Sequence, residues 1–424
     1  MNLDFGFIGT TDRRSLNFAL ETDSSFRGFA PSSKLSTYCR VSMENIVQQF
    51  LEVLETQVER DIPIDLLIDI FSRVPAKTIA TSRCISKLWG SILCRTDFTE
   101  LFLAMSSTRP RRLLFTFEAE DNIFFFSSPQ PRNPDDNSSL LLTRYQVHRK
   151  QSPTDFIYKM NSPNHGFICR QDRRVDRGKM LDTIVICNPV TGESISLPKG
   201  KPKIINMETR PYFGYDSVDK QFKVLCIYFE KIPNTPNTCY EHQVSTLEDG
   251  VCLWRTIQCK PHYPESSGLC IDGVLYYTAR HMRVSMIVCF DVRFEKFNFI
   301  DIDECMLMTS HCTLINYKGK LGAFTLLFGR LELWVLEDAG WSKNFYTLPP
   351  LWNNVVGRTQ LNIVGVTDRN EVVLSLPCLM DPFYVYYYNL VSKSFTRVQI
   401  QGFGVFKYKK VYTFLDYDEN LKHM

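Results

Sequence analysis

The chain has 424 residues, 44% of them hydrophobic, 13% aromatic and 22% charged, which is ordinary soluble globular usage and length for two or three domains. Its 49 basic and 46 acidic side chains leave a formal charge of +3, too near balance for a nucleic-acid groove. No apolar run is long enough to span a bilayer as a helix, and no basic leader with an apolar stretch behind it opens the chain, so a nuclear or cytoplasmic protein touching neither nucleic acid nor membrane is expected.

Residues 1–42 mix Gly, Ser, Thr and Phe without period and read as a disordered extension. Over 43–60, Ile46, Phe50, Leu54 and Val58 recur every four residues with Val47 and Leu51 beside them, which predicts an amphipathic helix. It is expected to lie on its neighbours. The stripe spans too few turns for a stable dimerising coiled coil.

Residues 61–105 hold three short helix signals. Pro63 suits a first helical turn, where its missing N–H costs nothing. Leu66, Leu67, Ile70, Phe71 and Val74 follow at helical spacing, and Pro75 stops the helix because the residue before a proline is pushed out of the α region. Ile79 marks a second helix, and Ile85, Leu88, Trp89, Ile92 and Leu93 a third. The apolar positions outnumber what so small a bundle can hide, so some must face the next domain or another protein.

This stretch resembles the F-box of plant proteins. The match is carried by Ile62-Pro63, Asp65-Leu66, Ile70-Phe71, Arg73-Val74-Pro75, Lys77 and the run Arg83-Cys84-Ile85-Ser86-Lys87-Leu88-Trp89. Thr81 and Ser82 depart from the arginine and the bulky apolar residue frequent there. The resemblance implies docking to a Skp-type adaptor, and through it to a cullin, with Pro63, Leu66, Ile70, Phe71, Val74 and Pro75 at the adaptor face. The alternative is a helical cap on the next domain.

Phe98, Leu101 and Phe102 continue a helical link, and after Arg112 the pattern turns to strands. Leu113–Phe117, a turn at Glu120-Asp121-Asn122, and Ile123–Phe126 predict a hairpin. From about 160 to 416 a unit recurs weakly, a strand, a polar turn and a strand, with turns at Asn188, Asp291, Asp338 and Asn389. A turn-and-strand signal precedes each: Gly166-Phe167-Ile168, Asp272-Gly273-Val274, Lys318-Gly319-Lys320 and Arg369-Asn370-Glu371. Strands from Phe213 to Ile257 supply one more unit. A period of roughly 50 residues is kelch-like, and units that each leave a sheet face bare bury it by stacking around an axis. The expected fold is therefore a small three-helix F-box followed by an all-β, propeller-like domain over 112–416, with a tail over 417–424. A β-sandwich of the same hairpins is the alternative.

The β region resembles the F-box-associated domain, type 3-like, of plant F-box proteins. Its landmarks are Cys187-Asn188-Pro189-x-Thr191, Tyr212-Phe213-Gly214-Tyr215-Asp216, Lys223–Cys226, Trp254-Arg255, Ile271–Tyr277 and Phe290-Asp291-Val292-Arg293-x-Glu295-Lys296-Phe297, with Val411–Asp416 near the end. The resemblance implies a subunit that recruits a protein substrate to a cullin ubiquitin ligase and names no substrate.

No enzyme signature stands beside this. There is no phosphate-cradling Gly-rich loop, no His-Glu-x-x-His and no Gly-x-Ser-x-Gly elbow. The 14 cysteines form no Cys-x-x-Cys pair, and Cys187, Cys226, Cys289 and Cys378 sit in apolar runs as small hydrophobes. Cys84 is expected to pack, and no histidine neighbours Cys84 or Cys94 in sequence to activate a thiolate. His165 and His242 are expected to be hydrogen-bonded turn residues rather than ligands. No cofactor or metal is anticipated. A loop from Arg170 to Lys179, with Arg170, Arg173, Arg174 and Arg177 against Asp172 and Asp176, is the candidate for gripping an acidic or phosphorylated segment, or else is a solvated loop. Lys407, Lys409 and Lys410 are expected to guard an edge strand.

Overall fold

Pro63 opens the described chain as the N-terminal flank of α1 (Ile64–Arg73), and Val74-Pro75 ends it. A computed structural model describes residues 63–200, 207–230, 238–247, 252–282, 284–302, 312–327, 329–349 and 361–422. The disordered extension expected over 1–42 and the helix expected over 43–60 lie outside these residues. α2 (Ala76–Ser82) starts at the extended Pro75, and α3 (Lys87–Leu93) starts at Ser86, whose hydroxyl accepts the Leu88 N–H at 3.2 Å.

The three-helix expectation falls short by one: α4 (Thr96–Thr108) completes a set of four among the described residues. The link read from Phe98 and Phe102 is a full helix because both rings are completely buried one turn apart. Pro110 follows its end. Ser82, where a bulky residue is frequent, is buried with its hydroxyl turned back to Thr78 O at 2.8 Å.

Strands follow in order. β1 (Arg112–Ala119) and β2 (Asn122–Pro129) form the expected hairpin, and β3 (Ser139–Leu141), β4 (Thr143–Arg144) and β5 (His148–Arg149) are short. The second sheet is β6 (Phe156–Met160), β7 (Ile168–Asp176), β8 (Lys179–Cys187) and β9 (Ser194–Ser196). The third is β10 (Glu208–Asp216), β11 (Gln221–Glu230), β12 (Thr238–Leu247) and β13 (Trp254–Ile257). The fourth is β14 (Tyr263–Pro264), β15 (Leu269–Ile271), β16 (Val274–His281), β17 (Val284–Asp291) and β18 (Phe297–Asp301). The fifth is β19 (Thr313–Tyr317), β20 (Lys320–Leu327), β21 (Arg330–Glu337) and β22 (Gly340–Thr347). The sixth is β23 (Asn362–Val366), β24 (Glu371–Ser375), β25 (Phe383–Asn389) and β26 (Phe395–Gln401), with β3 added in parallel at its rim.

β27 (Val411–Tyr417) then pairs antiparallel with β1, so the last strand becomes the innermost strand of the first sheet. The six sheets are blades of a β-propeller, and this pairing shuts the ring without a free edge between first and last blade. Every turn read from the sequence falls inside a blade: Asn188, Asp291, Asp338 and Asn389 between third and fourth strands, and Gly273, Gly319 and Asn370 between first and second. Middle strands are largely buried on both faces because a neighbouring blade covers each side, mostly with apolar residues but in β7 and β12 with charged and polar ones too. β24 is buried throughout, whereas the outer β22 is half open. The landmark residues Lys223 and Arg255 both pair with Glu295 and so fasten blade three to blade four, with Lys223 Nζ at 2.8 Å.

Antiparallel strands alternate in direction. Turns joining first to second and third to fourth strands therefore emerge on one face of the ring. Turns joining second to third strands, and the links between blades, emerge on the other.

Candidate functional site

One flank of α1 faces inward: Leu67 and Phe71 are 1% exposed, and Phe71 meets Trp89 edge-on at 5.1 Å. Ile79, Ile92, Leu93, Phe98 and Phe102 complete that small core. The other flank stays open. Leu66 is 39% exposed, Ile70 and Val74 are half-buried one and two turns on, and Pro63 and Pro75 are exposed at the ends. Five of the six residues assigned to an adaptor face are therefore available. Phe71 is corrected to the core, because its position puts the ring over Trp89. Leu88 of α3, also 39% exposed, is another of the apolar positions that the bundle leaves uncovered.

The helices and the propeller from Asp65 onward form one compact unit, and the stretch after β27 shows how they are joined. That stretch is no loose tail: Glu419, Asn420 and Leu421 are buried. Arg83, at the end of α2, donates from one guanidinium nitrogen to Leu93 O at 2.7 Å and Leu421 O at 3.0 Å. Burial pulls the Arg83 pKa down, and the Cys94 and Glu193 charges oppose that. Asn188 donates from Nδ2 to Asn420 O at 3.0 Å and Lys422 O at 3.1 Å, while its Oδ1 accepts Val190 N–H at 3.0 Å. Asn420 in turn donates to His165 O at 2.7 Å, and Gly166 at φ +83 leaves room for it. Glu419 accepts from Tyr145 Oη at 2.5 Å and lies 3.7 Å from Arg112. Lys220, in the first turn of blade three, pairs with Glu100 of α4 at 3.1 Å. The helices thus sit on the face that carries the first-to-second and third-to-fourth turns.

The opposite face carries exposed apolar side chains at hairpin tips: Val175 and Met180 on blade two, Met282 and Val284 on blade four, and Met380 on blade six, with Val405 and Tyr408 beside it. At blade one an open cleft of about 730 Å³ is lined by Glu120, Phe124, Arg144, Val147, Arg149 and Phe406 among others, and the Arg144 guanidinium lies over Phe124 at 4.9 Å. The expected basic loop is instead strand β7 and its hairpin turn. Arg170 is 1% exposed and bonded to Asp172 at 3.0 Å. Arg173 is paired with Asp182 at 2.6 Å and stacked on Tyr158 at 3.5 Å. These two are buried in ion pairs inside the chain rather than set out on a loop. Arg174 is half-buried and 3.9 Å from Asp155, which leaves Arg177 fully at the surface, in the turn at φ 48. The lysine trio is corrected as well. Lys407–Lys410 lie in the link between blade six and β27, where Lys409 O accepts Leu379 N–H at 2.8 Å and Lys407 pairs with Asp381 at 2.9 Å.

Of the histidines, His165 is a turn residue as expected, at φ 46. His242 is not: it stands buried in the middle of β12, and one ligand atom from each of His242, Cys259 and His262 lies within 4.8 Å of the others. Burial holds His242 down at about 3 and His262 at about 4, so both rings are neutral near pH 7. The spacing Cys259-x-x-His262 is the signal that a search for Cys-x-x-Cys alone passes over. Cys187, Cys226 and Cys289 are buried as expected and burial pushes each thiol up to about 12, while Cys378 is only half-buried and Cys84 is exposed rather than packed.

Comparison with known proteins agrees with this architecture. Residues 60–101 match the F-box domain and residues 112–418 match the F-box associated beta propeller domain. F-box protein At1g53790 of Arabidopsis thaliana is 62% identical over 387 residues, covering 89% of this chain and 85% of the relative. F-box protein DOR of the same plant is 44% identical over 377 residues, covering 85% and 93%. An F-box set on its own β-propeller is thus the class of molecule. The chain belongs to the plant F-box proteins that carry this F-box-associated domain.

Proposed function

We propose that this protein is the substrate receptor of a cullin-based ubiquitin ligase, binding a Skp-type adaptor through α1 and a protein substrate through the propeller. The observation that carries the first half is the split character of α1. Leu67 and Phe71 satisfy the fold, while Leu66, Ile70 and Val74 form an apolar stripe with Pro63 and Pro75 at its ends, which no other part of the described residues completes. The second half rests on polarity. The helices occupy one face of the ring, and among the described residues the opposite face exposes Met180, Met282, Met380 and the cleft at Arg144, which supports substrate binding there. The receptor carries out no bond chemistry. It holds a substrate lysine near a ubiquitin-charged enzyme, and the clasp through Arg83 and Asn188 keeps that distance fixed.

Reconstitution tests the reading. The purified full chain mixed with a Skp-type adaptor and cullin should elute as one complex, and Pro63→Ala with Leu66→Ala should weaken it. A wild-type chain that elutes apart from the adaptor overturns the proposal.

A further inference from the structure

We propose that the seam between blades three and four is a binding site for a thiophilic divalent metal of the zinc class, held by His242, Cys259 and His262.

The three residues come from different parts of the seam. His242 projects from β12 of blade three, and Cys259 and His262 from the link into blade four. Cys259 Sγ and His262 Nδ1 are 3.8 Å apart. Zinc–sulfur and zinc–nitrogen bonds of about 2.3 and 2.0–2.1 Å at a tetrahedral angle set such donors about 3.5 Å apart, so this pair already stands near bonding separation. The widest separation, 4.8 Å, closes by a small side-chain rotation. Among the described residues no other trio of His, Cys, Asp or Glu converges in this way. Two imidazoles and a thiolate select zinc-like ions over magnesium or calcium, which take oxygen.

The surroundings fit a metal. His262 Nε2 lies 2.8 Å from Tyr277 Oη, a partner in blade four that fixes the ring, as a hydrogen bond to the far ring nitrogen fixes metal-bound histidines. Phe297 and Phe299 wall the rings at 5.4 and 5.9 Å, excluding water. Cys259 is half-exposed and provides the way in. Without metal, His262 Nδ1–H donates to Lys260 O at 2.9 Å and Nε2 accepts from Tyr277. On binding, the ring proton moves to Nε2 and is donated to Tyr277 Oη, Nδ1 turns its lone pair to the metal, and the Cys259 thiol releases its proton to solvent. One proton leaves per metal bound. The ion ties two blades together across a seam otherwise closed by aromatic packing and the Glu295 ion pairs.

The test uses the purified full chain, reduced and stripped with chelator, titrated with Co²⁺ and then Zn²⁺. The proposal expects one equivalent of Co²⁺ to give tetrahedral visible bands and a thiolate-to-cobalt charge-transfer band, both erased by Zn²⁺. Cys259→Ser, at a half-exposed position, should leave the fold intact and abolish the charge-transfer band. Tyr277→Phe should keep that band and weaken binding about 10- to 100-fold. Absence of the band in the wild type overturns the proposal, and so does a band unchanged in Cys259→Ser, which would place the ion on other cysteines.

Discussion

Replacing Asn188 by aspartate separates two roles that the residue combines. Its Oδ1 shapes the turn after β8 by accepting Val190 N–H, and aspartate does that equally well. Its Nδ2 does what no carboxylate can, donating to Asn420 O and Lys422 O at 3.0 and 3.1 Å at a fully buried position. Asn188→Asp takes away both donors, turns an acceptor toward two carbonyl oxygens and buries a charge. Leaving a buried group unpaired costs about 1–3 kcal/mol, so losing the bond to the buried Asn420 carbonyl, with Lys422 exposed to water, implies about 2 kcal/mol or more once the buried charge is added, and aspartate should be at least as damaging as alanine despite its shape. Urea unfolding of the full chain measures the cost. Amide exchange at Asn420–Lys422 and in α2–α3 locates it, because Leu421 also holds Arg83. If Asn188→Asp falls within about 0.5 kcal/mol of wild type while alanine is costly, Asn188 is only a turn residue and the clasp between helices and propeller lies elsewhere.

Gly166→Ala should destabilise by more than about 1 kcal/mol, since its Cβ would meet Asn420 Cβ at 2.3 Å at a φ of +83; a melting curve equal to wild type would contradict this. Phe71→Ala should cost about 3–5 kcal/mol of folding stability through the lost Trp89 contact, whereas Leu66→Ala should change stability by under about 1 kcal/mol, and denaturation midpoints decide between them. Burial, helped by the Arg170 charge, lowers the His148 pKa from 6.5 to about 4, so the unfolded chain takes up a proton that the folded chain refuses. Stability from this group is present above about pH 6.5 and is lost as pH falls toward about 4, about 2 kcal/mol between about pH 7 and pH 5, and His148→Phe should remove that slope. Met180→Glu with Met282→Glu should leave adaptor binding unchanged and abolish capture of a substrate by the opposite face; a loss of adaptor binding would contradict the division of faces.

Local patterns were legible, and contacts between distant residues were not. Turns at Asn188, Asp291, Asp338 and Asn389 announced themselves because a tight connection between strands needs residues that bond their own backbone. The closure of β27 on β1 left no comparable mark, since Val411–Asp416 resembles any other strand and its partner lies some 300 residues earlier. Arg170 and Arg173 misled for a related reason. A charged run looks wet until Asp172, Asp182 and Tyr158 supply what buries it. On α1 the helical period showed an apolar stripe wider than one surface needs, and only the position of Trp89 decided that Phe71 turns inward while Leu66 stays out. The His242 site was split between a strand and a link, with only Cys259-x-x-His262 visible as a local pattern.

Calorimetric titration of a purified Skp-type adaptor into the full chain, wild type against Leu66→Ser with Ile70→Ser, goes to the centre of the account. Two apolar anchors at about 1.5 kcal/mol each predict a one-to-one complex whose affinity falls roughly 100-fold in the double variant, while its unfolding midpoint stays near that of the wild type. Equal affinity in both proteins, or no heat of binding with the wild type, would show that the open flank of α1 is not where a partner docks.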